Sequence, residues 1–170
     1  MNNVVDIYMT GDTSLNYFGY SVSAGGDVNG DGYMDMIAGA FGRNSSTGRA
    51  YVYTNTMTGE DIADIFLEGE SALDRFGGSV SNAGDVNGDG YDDLIVAADH
   101  SSAGGSISGR AYVYLGGMFM DNIADVIMTG ESENHYFGGS VSSAGDVNGD
   151  GYDDVIVGAY GYSSYIGRAY

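Results

Sequence analysis

The chain has no cysteine, no proline, no tryptophan and no lysine. Without cysteine there is no disulfide scaffold and no thiolate metal site, although the redox compartment stays open. Without lysine the only cations are Arg43, Arg49, Arg75, Arg110 and Arg168, set against 24 acids for a formal charge of −19. Such a balance repels nucleic acid and anionic membranes. No apolar run approaches the roughly 18 residues of a membrane-crossing helix. The N-terminal MNNVVDIYMT lacks the basic stretch followed by an apolar one that marks a secretory signal. A 43% hydrophobic and 12% aromatic content argues against disorder. At 170 residues, one domain is expected.

What the chain has in abundance is glycine, 30 residues, and tyrosine, 15 residues. Much of both falls in an internal repeat. FGYSVSAGGDVNGDGYMDMIAGA at 18–40, FGGSVSNAGDVNGDGYDDLIVAA at 76–98 and FGGSVSSAGDVNGDGYDDVIVGA at 137–159 align without gaps. Each is followed by Gly-Arg-Ala-Tyr, starting at Gly48, Gly109 and Gly167. The connecting segments at 41–48 and 160–167 are shorter than that at 99–109, and a segment of variable length belongs at the surface.

Each unit reads as short strands. Tyr20, Val22 and Ala24 alternate with serines after the first Phe-Gly. Apolar runs at 36–38, 94–97 and 155–157 suit strands buried between layers. Third strands are expected at 49–53 and 110–115, and fourth strands at 64–67 and 125–128. Short, evenly spaced strands with glycine-rich turns indicate an all-β fold. Four strands in a period of about 60 residues point to β-propeller blades. A β-sandwich of similar hairpins is the alternative, but it does not require a repeated cassette. The expected organisation is a fourth strand at 4–10, then repeats at 18–67, 76–128 and 137–170, the last one truncated.

Between first and second strands lie three nine-residue loops, DVNGDGYMD at 27–35 and DVNGDGYDD at 85–93 and 146–154. They hold eleven of the 24 acids. Calcium takes six to eight oxygens at about 2.3–2.6 Å. Asp27, Asn29 and Asp31, at alternate positions, offer side-chain oxygens. Glycine at position six lets the chain turn back, so that the Tyr33 carbonyl can face inward and Asp35 can close the cage. The same roles fall to Asp85, Asn87, Asp89, Tyr91 and Asp93, and to Asp146, Asn148, Asp150, Tyr152 and Asp154. An Asp/Asn/Gly turn without metal is the competing reading, which three identical copies disfavour. An EF-hand fails because its position-twelve glutamate is replaced by Ala38, Val96 or Val157, and because the flanks read as strands. Magnesium prefers a tighter octahedral shell with retained waters.

The order Phe-Gly, Asp-x-Asn-x-Asp-Gly-x-x-Asp, then an apolar run ending in Gly-Ala resembles the FG-GAP repeat of integrin α-subunit propellers. The resemblance covers nearly the whole chain. It implies propeller blades with calcium between first and second strands, held by the three residue sets above. Two departures stand out. Gly-Ala is followed by Phe41 and Tyr160 rather than proline, with Ala97-Ala98-Asp99 in the second copy. Integrin heads have seven blades, whereas this chain has material for three. In the family the face opposite the calcium loops binds ligands. On this chain that face would carry Phe41, Arg43, Arg75, His100, Tyr160, Tyr162 and Tyr165, with Tyr17 and Tyr136, a composition suited to protein or glycan contacts. Local stacking of the same tyrosines is the competing reading.

The repeated Arg49, Arg110 and Arg168 are expected to pair with carboxylates at sheet edges rather than to form an anion-binding ring. His100 and His135 lack any acid and nucleophile arrangement around them, so no enzyme is expected. Asn44-Ser45-Ser46 is a weak glycosylation sequon. A structural calcium role favours an extracellular or cell-surface location, where weak sites on the order of 10⁻⁴–10⁻³ M fill. The expected function is a calcium-stabilised adhesion or recognition module, the alternative a self-assembling structural subunit. Propellers have about four to eight blades. Three blades therefore imply a two-chain ring, a head-to-tail fibre or a piece of a longer propeller.

Overall fold

The computed structural model describes residues 8–54 and 62–170. Within them the chain forms three antiparallel sheets. The first contains β1 (Ser21–Gly26), β2 (Asp35–Ala40), β3 (Arg49–Tyr53) and β4 (Ile65–Glu68), hydrogen-bonded in that order. The second repeats it with β5 (Ser79–Gly84), β6 (Asp93–Ala98), β7 (Arg110–Tyr114) and β8 (Val126–Thr129). The third holds β9 (Phe137–Gly145), β10 (Asp154–Ala159) and β11 (Arg168–Ala169). The all-β expectation holds.

Strand β3 lies where the arginine-aromatic alternation puts it, and β7 ends one residue sooner than expected, at Tyr114. The fourth strands start one residue later than the sequence suggested, at Ile65 and Val126. Asp64 and Asp125 turn their carboxylates back instead, accepting from the amides of Thr54 (2.7 Å) and Leu115 (2.8 Å). Of the expected strand at 4–10, residues 4–7 lie outside the described residues.

The sheets stack side by side, with β5 packed against both β1 and β9. Side chains of opposite parity therefore feed two different cores. Ile37, Ala50, Val52, Leu67, Val80, Leu94, Val96, Tyr112 and Tyr114 fill the space between the first and second sheets. Ile95, Ala97, Ala111, Val113, Val141 and Val157 fill the next one. Every residue of β6 is buried, as its continuous apolar run requires. The Phe-Gly dipeptides join neighbouring sheets. Gly48 bridges Phe76, and Gly109 bridges Phe137. Phe76 and Phe137 are buried under the preceding sheet. The described sheets do not close on one another into a ring.

The β2–β3 and β10–β11 connections contain single helical turns, α1 (Arg43–Ser46) and α2 (Tyr162–Tyr165). Both wind left-handed, with φ of 49°, 59° and 61° at Asn44, Ser45 and Ser46 and 47°, 58° and 69° at Ser163, Ser164 and Tyr165. Three successive non-glycine residues in that region strain the backbone by about 1–2 kcal/mol each.

Candidate metal centres

The three nine-residue loops fold by one hydrogen-bond scheme, set by their alternating Asp and Asn residues. The first aspartate accepts two backbone amides. Asp27 Oδ1 takes Asp31 N at 3.0 Å and Oδ2 takes Gly32 N at 2.9 Å. Asp85 and Asp146 repeat both bonds within 0.1 Å. Asn29 Oδ1 accepts Asp31 N, and Asp31 Oδ1 accepts Tyr33 N, both at 2.9 Å. Asn87, Asp89, Asn148 and Asp150 do the same. Gly30 and Gly32 stand at φ +74° and +86°, the left-handed conformation this tight coil demands. The ninth residue reaches back across the loop. Asp35, Asp93 and Asp154 each accept the amide of position two, Val28, Val86 or Val147, at 2.8–3.0 Å.

This scheme sets the side-chain oxygens of positions one, three, five and nine on one tight coil in each loop, each accepting a backbone amide and retaining lone pairs. Of the ninth-position aspartates, Asp35 is the least satisfied. It is 1% exposed, and its Oδ1 is buried without a hydrogen-bond partner among the described residues. Burial pushes its carboxyl up to about 6, and the negative charges of Asp31 and Asp27 add to that. A hard cation there would satisfy the orphaned oxygen and offset the three charges. Asp93 is likewise buried and pushed up to about 6, mainly by desolvation, but its Oδ1 accepts Gly116 N at 2.7 Å. Asp154 is more open. At Asp146, backbone amides led by Gly151 hold the carboxyl below its usual range. Among the described residues no three acids or histidines form a ready-made metal cluster by themselves. The donor set is mixed instead, carboxylate plus amide oxygen, and it fits calcium better than a transition metal.

Sequence reasoning missed the eighth loop residue. Asp92 Oδ2 accepts Asp27 N at 2.8 Å while Asp92 N donates to Asp27 O at 3.2 Å, so the second loop grips the first. Asp153 grips Asp85 in the same way, at 3.0 and 3.1 Å. The signal in the sequence was an acid at position eight of the second and third loops, against Met34 in the first.

At the other end of the sheets, the β2–β3 and β4–β5 connections run together. Leu73, Arg75 and Phe76 donate their amides to Ser45, Ser46 and Thr47. The expected contact residues assemble here into two aromatic groups. Phe41 stacks on Tyr17 (4.9 Å), meets Tyr20 edge-on (4.6 Å) and lies under the Arg75 guanidinium. Tyr160 stacks on Tyr136 (4.6 Å), with Tyr165 beside both and His100 against Tyr136. Tyr20, Phe41, Arg75 and Asp99 line a cavity of about 80 Å³ between them. Burial pushes the Tyr160 hydroxyl up to about 12. Tyr162 is set apart, against His135 and Arg168. Arg43 pairs with Asp12 at 3.2 Å. The local-stacking reading thus describes much of what these side chains do, yet Tyr165 remains 69% exposed.

The repeated arginines pair with carboxylates as expected. Arg49 engages Glu68 and Asp12, Arg110 lies 2.7 Å from Glu70, and Arg168 lies 3.3 Å from Glu131. Arg49 and Arg110 stand on interior strands rather than at sheet edges, and Arg110 and Arg168 reach back to acids that follow the fourth strand of the preceding sheet.

Integrin alpha-5 of Xenopus laevis is 33% identical over 94% of this chain, and integrin alpha-IIb of Mus musculus is 32% identical over 90%. Integrin alpha-PS5 of Drosophila melanogaster is 34% identical over 91%. In each case the chain spans about a sixth of the relative's length, 16%. A family model described as FG-GAP-like repeat matches residues 27–96, and one described as FG-GAP repeat matches 137–170. With these two matches covering more than half of its length, on the same residues that build the loops and their flanking strands, the chain belongs to the FG-GAP repeat proteins.

Proposed function

We propose that the chain is a calcium-stabilised, extracellular FG-GAP module of a β-propeller, built for adhesion or recognition rather than catalysis. One observation carries the calcium reading. The Asp27 loop holds three carboxylates around a coil already closed by its own amides, with the buried Asp35 Oδ1 left unpaired among the described residues. Three ions are proposed, one per loop, at Asp27, Asn29, Asp31 and Asp35 and at the equivalent positions of the other two loops, with the carbonyls of Tyr33, Tyr91 and Tyr152 as further ligands. When bound, calcium supplies positive charge and oxygen-coordinating capacity. The loop's own hydrogen bonds hold the backbone coil that carries these oxygens, and metal binding would add to the folding free energy. The adhesion reading rests on the relatives, which are named as integrin alpha chains. The proposed docking surface is the aromatic face opposite the loops, where Tyr160, Tyr162, Tyr165 and the Phe41–Arg75 pair offer rigid area and a cation to a protein or glycan.

Calorimetric titration of the chelator-stripped protein with calcium tests the metal reading. About three ions per chain are expected, together with a melting midpoint several degrees higher once they are bound. A melting curve unchanged between calcium and EGTA overturns it. Asp31→Ala, Asp89→Ala and Asp150→Ala should each remove one site and leave the other two.

A further inference from the structure

The three loops share the run Asp-Val-Asn-Gly-Asp-Gly-Tyr, so each holds an asparagine followed by glycine at positions three and four. This dipeptide has a chemistry of its own. The glycine amide nitrogen can attack the asparagine Cγ, because glycine has no Cβ to obstruct the approach. A succinimide ring forms as the bond from Cγ to the side-chain nitrogen breaks and ammonia leaves. Water then opens the ring at either carbonyl, giving aspartate or isoaspartate. Water is the co-reactant, and nothing is oxidised or reduced. The amide loses its proton to solvent during the attack, so an acceptor that holds the N–H slows the reaction.

The loops match in most features that set this rate. Gly30, Gly88 and Gly149 stand at φ +74°, +75° and +77°. In each loop the asparagine Oδ1 accepts the amide of position five at 2.9–3.0 Å, which polarises the carbonyl under attack. The Tyr91 ring lies against Gly30 as Tyr152 lies against Gly88, so ring cover does not separate the first loop from the second. The loops differ at the nucleophile. Gly88 N donates to Asp85 Oδ1 and Gly149 N donates to Asp146 Oδ1, both at 2.7 Å. These are short, charge-assisted bonds. In the first loop Asp27 Oδ1 accepts Asp31 N, and Gly30 N has no hydrogen-bond partner among the described residues. Gly30 is also exposed, so water reaches it.

We infer that Asn29 is a self-modifying position, the first of the three asparagines to convert to aspartate and isoaspartate through attack by Gly30 N. The product adds a negative charge to the loop in which Asp35 Oδ1 is buried without a partner among the described residues. Isoaspartate also lengthens the main chain by one atom and displaces the oxygen that accepts Asp31 N. The inference rests on the hydrogen bonds of the loops and not on the metal assignment.

The repeat supplies an internal control. The seven residues around each asparagine are identical, so the urea-unfolded chain should convert all three at one rate. In the folded chain, held in EGTA at mildly alkaline pH, Asn29 should convert at least about tenfold faster than Asn87 or Asn148, the factor that one hydrogen bond to a charged group commands. Peptide mapping by mass spectrometry reads the amide-to-acid mass gain in each loop, and an isoaspartate-specific methyltransferase reads the lengthened product. Circular dichroism establishes that the chain stays folded during the incubation. Equal rates in the folded chain, a lead by Asn87 or Asn148, or no conversion of Asn29 overturns the inference. The same incubation in calcium reports the metal reading separately. An ion held by Asn29 Oδ1 should slow the reaction, and an unchanged rate would remove that ligand while leaving the ranking in EGTA standing.

Discussion

Asp35 and Asp93 show how burial sets a pH response at single residues. Both carboxyls titrate near 6 in the folded chain, raised from an ordinary value of 3.8 chiefly by desolvation. The folded state therefore binds protons more tightly than the unfolded chain between those values. Metal-free stability falls as pH rises through that window, and the cost is complete above about 6. In EGTA the melting midpoint should be higher at about pH 5 than at about pH 7. In calcium the order should reverse, because the ion competes with the proton for the same oxygens. Asp35→Asn should raise the metal-free midpoint at neutral pH and remove one calcium from the titration. Differential scanning calorimetry at the two pH values checks both expectations, and a metal-free midpoint that rises with pH contradicts them.

At the scale of elements, one loop sits on the next through the same contacts in each pair of sheets. Gly88 and Gly149 occupy equivalent positions at φ +75° and +77°. Alanine at either strains the backbone by roughly 1 kcal/mol. At Gly88 the added Cβ would also lie 2.7 Å from the Tyr152 ring, whereas at Gly149 it meets nothing. Gly88→Ala should therefore cost about 1–3 kcal/mol more than Gly149→Ala in urea unfolding, and the difference reports the packing between second and third sheets. Equal costs would mean that the tyrosine yields without loss.

For the whole molecule the dominant fact is charge. A formal −19 with eleven acids in three loops makes the metal-free chain self-repulsive. Three calcium ions would bring it to about −13. Sodium chloride should therefore raise the melting midpoint strongly in EGTA and weakly in calcium, since screening acts on charge that the ions have not already offset. A salt response that is the same in both buffers would disconnect the loops from the repulsion. Docking belongs to this scale too. Tyr162→Ala with Tyr165→Ala should weaken binding to an extracellular protein or glycan partner more than Ser143→Ala does, as read by surface plasmon resonance.

The sequence by itself determined the repeat, the all-β class, the positions of β3 and β7 to within a residue, and the loops with their alternating oxygens. These are local: a period-two alternation, a glycine where φ must be positive, and an Asp-x-Asn-x-Asp coil are each written within a few adjacent residues. The arginine-carboxylate pairs were legible because they recur with the repeat. What only the tertiary structure decided are contacts between residues far apart in the chain. Asp92 reaches Asp27 across 65 positions and Asp153 reaches Asp85 across 68, so no local pattern distinguishes a gripping aspartate from a solvated one. The same holds for the two ninth-position aspartates that look alike in sequence. Asp93 Oδ1 receives Gly116 N from another hairpin, while Asp35 Oδ1 lies buried without a partner among the described residues. Nor does the composition of Asn44–Ser46 or Ser163–Tyr165 announce a left-handed turn, since non-glycine residues hold that conformation only where surrounding contacts impose it.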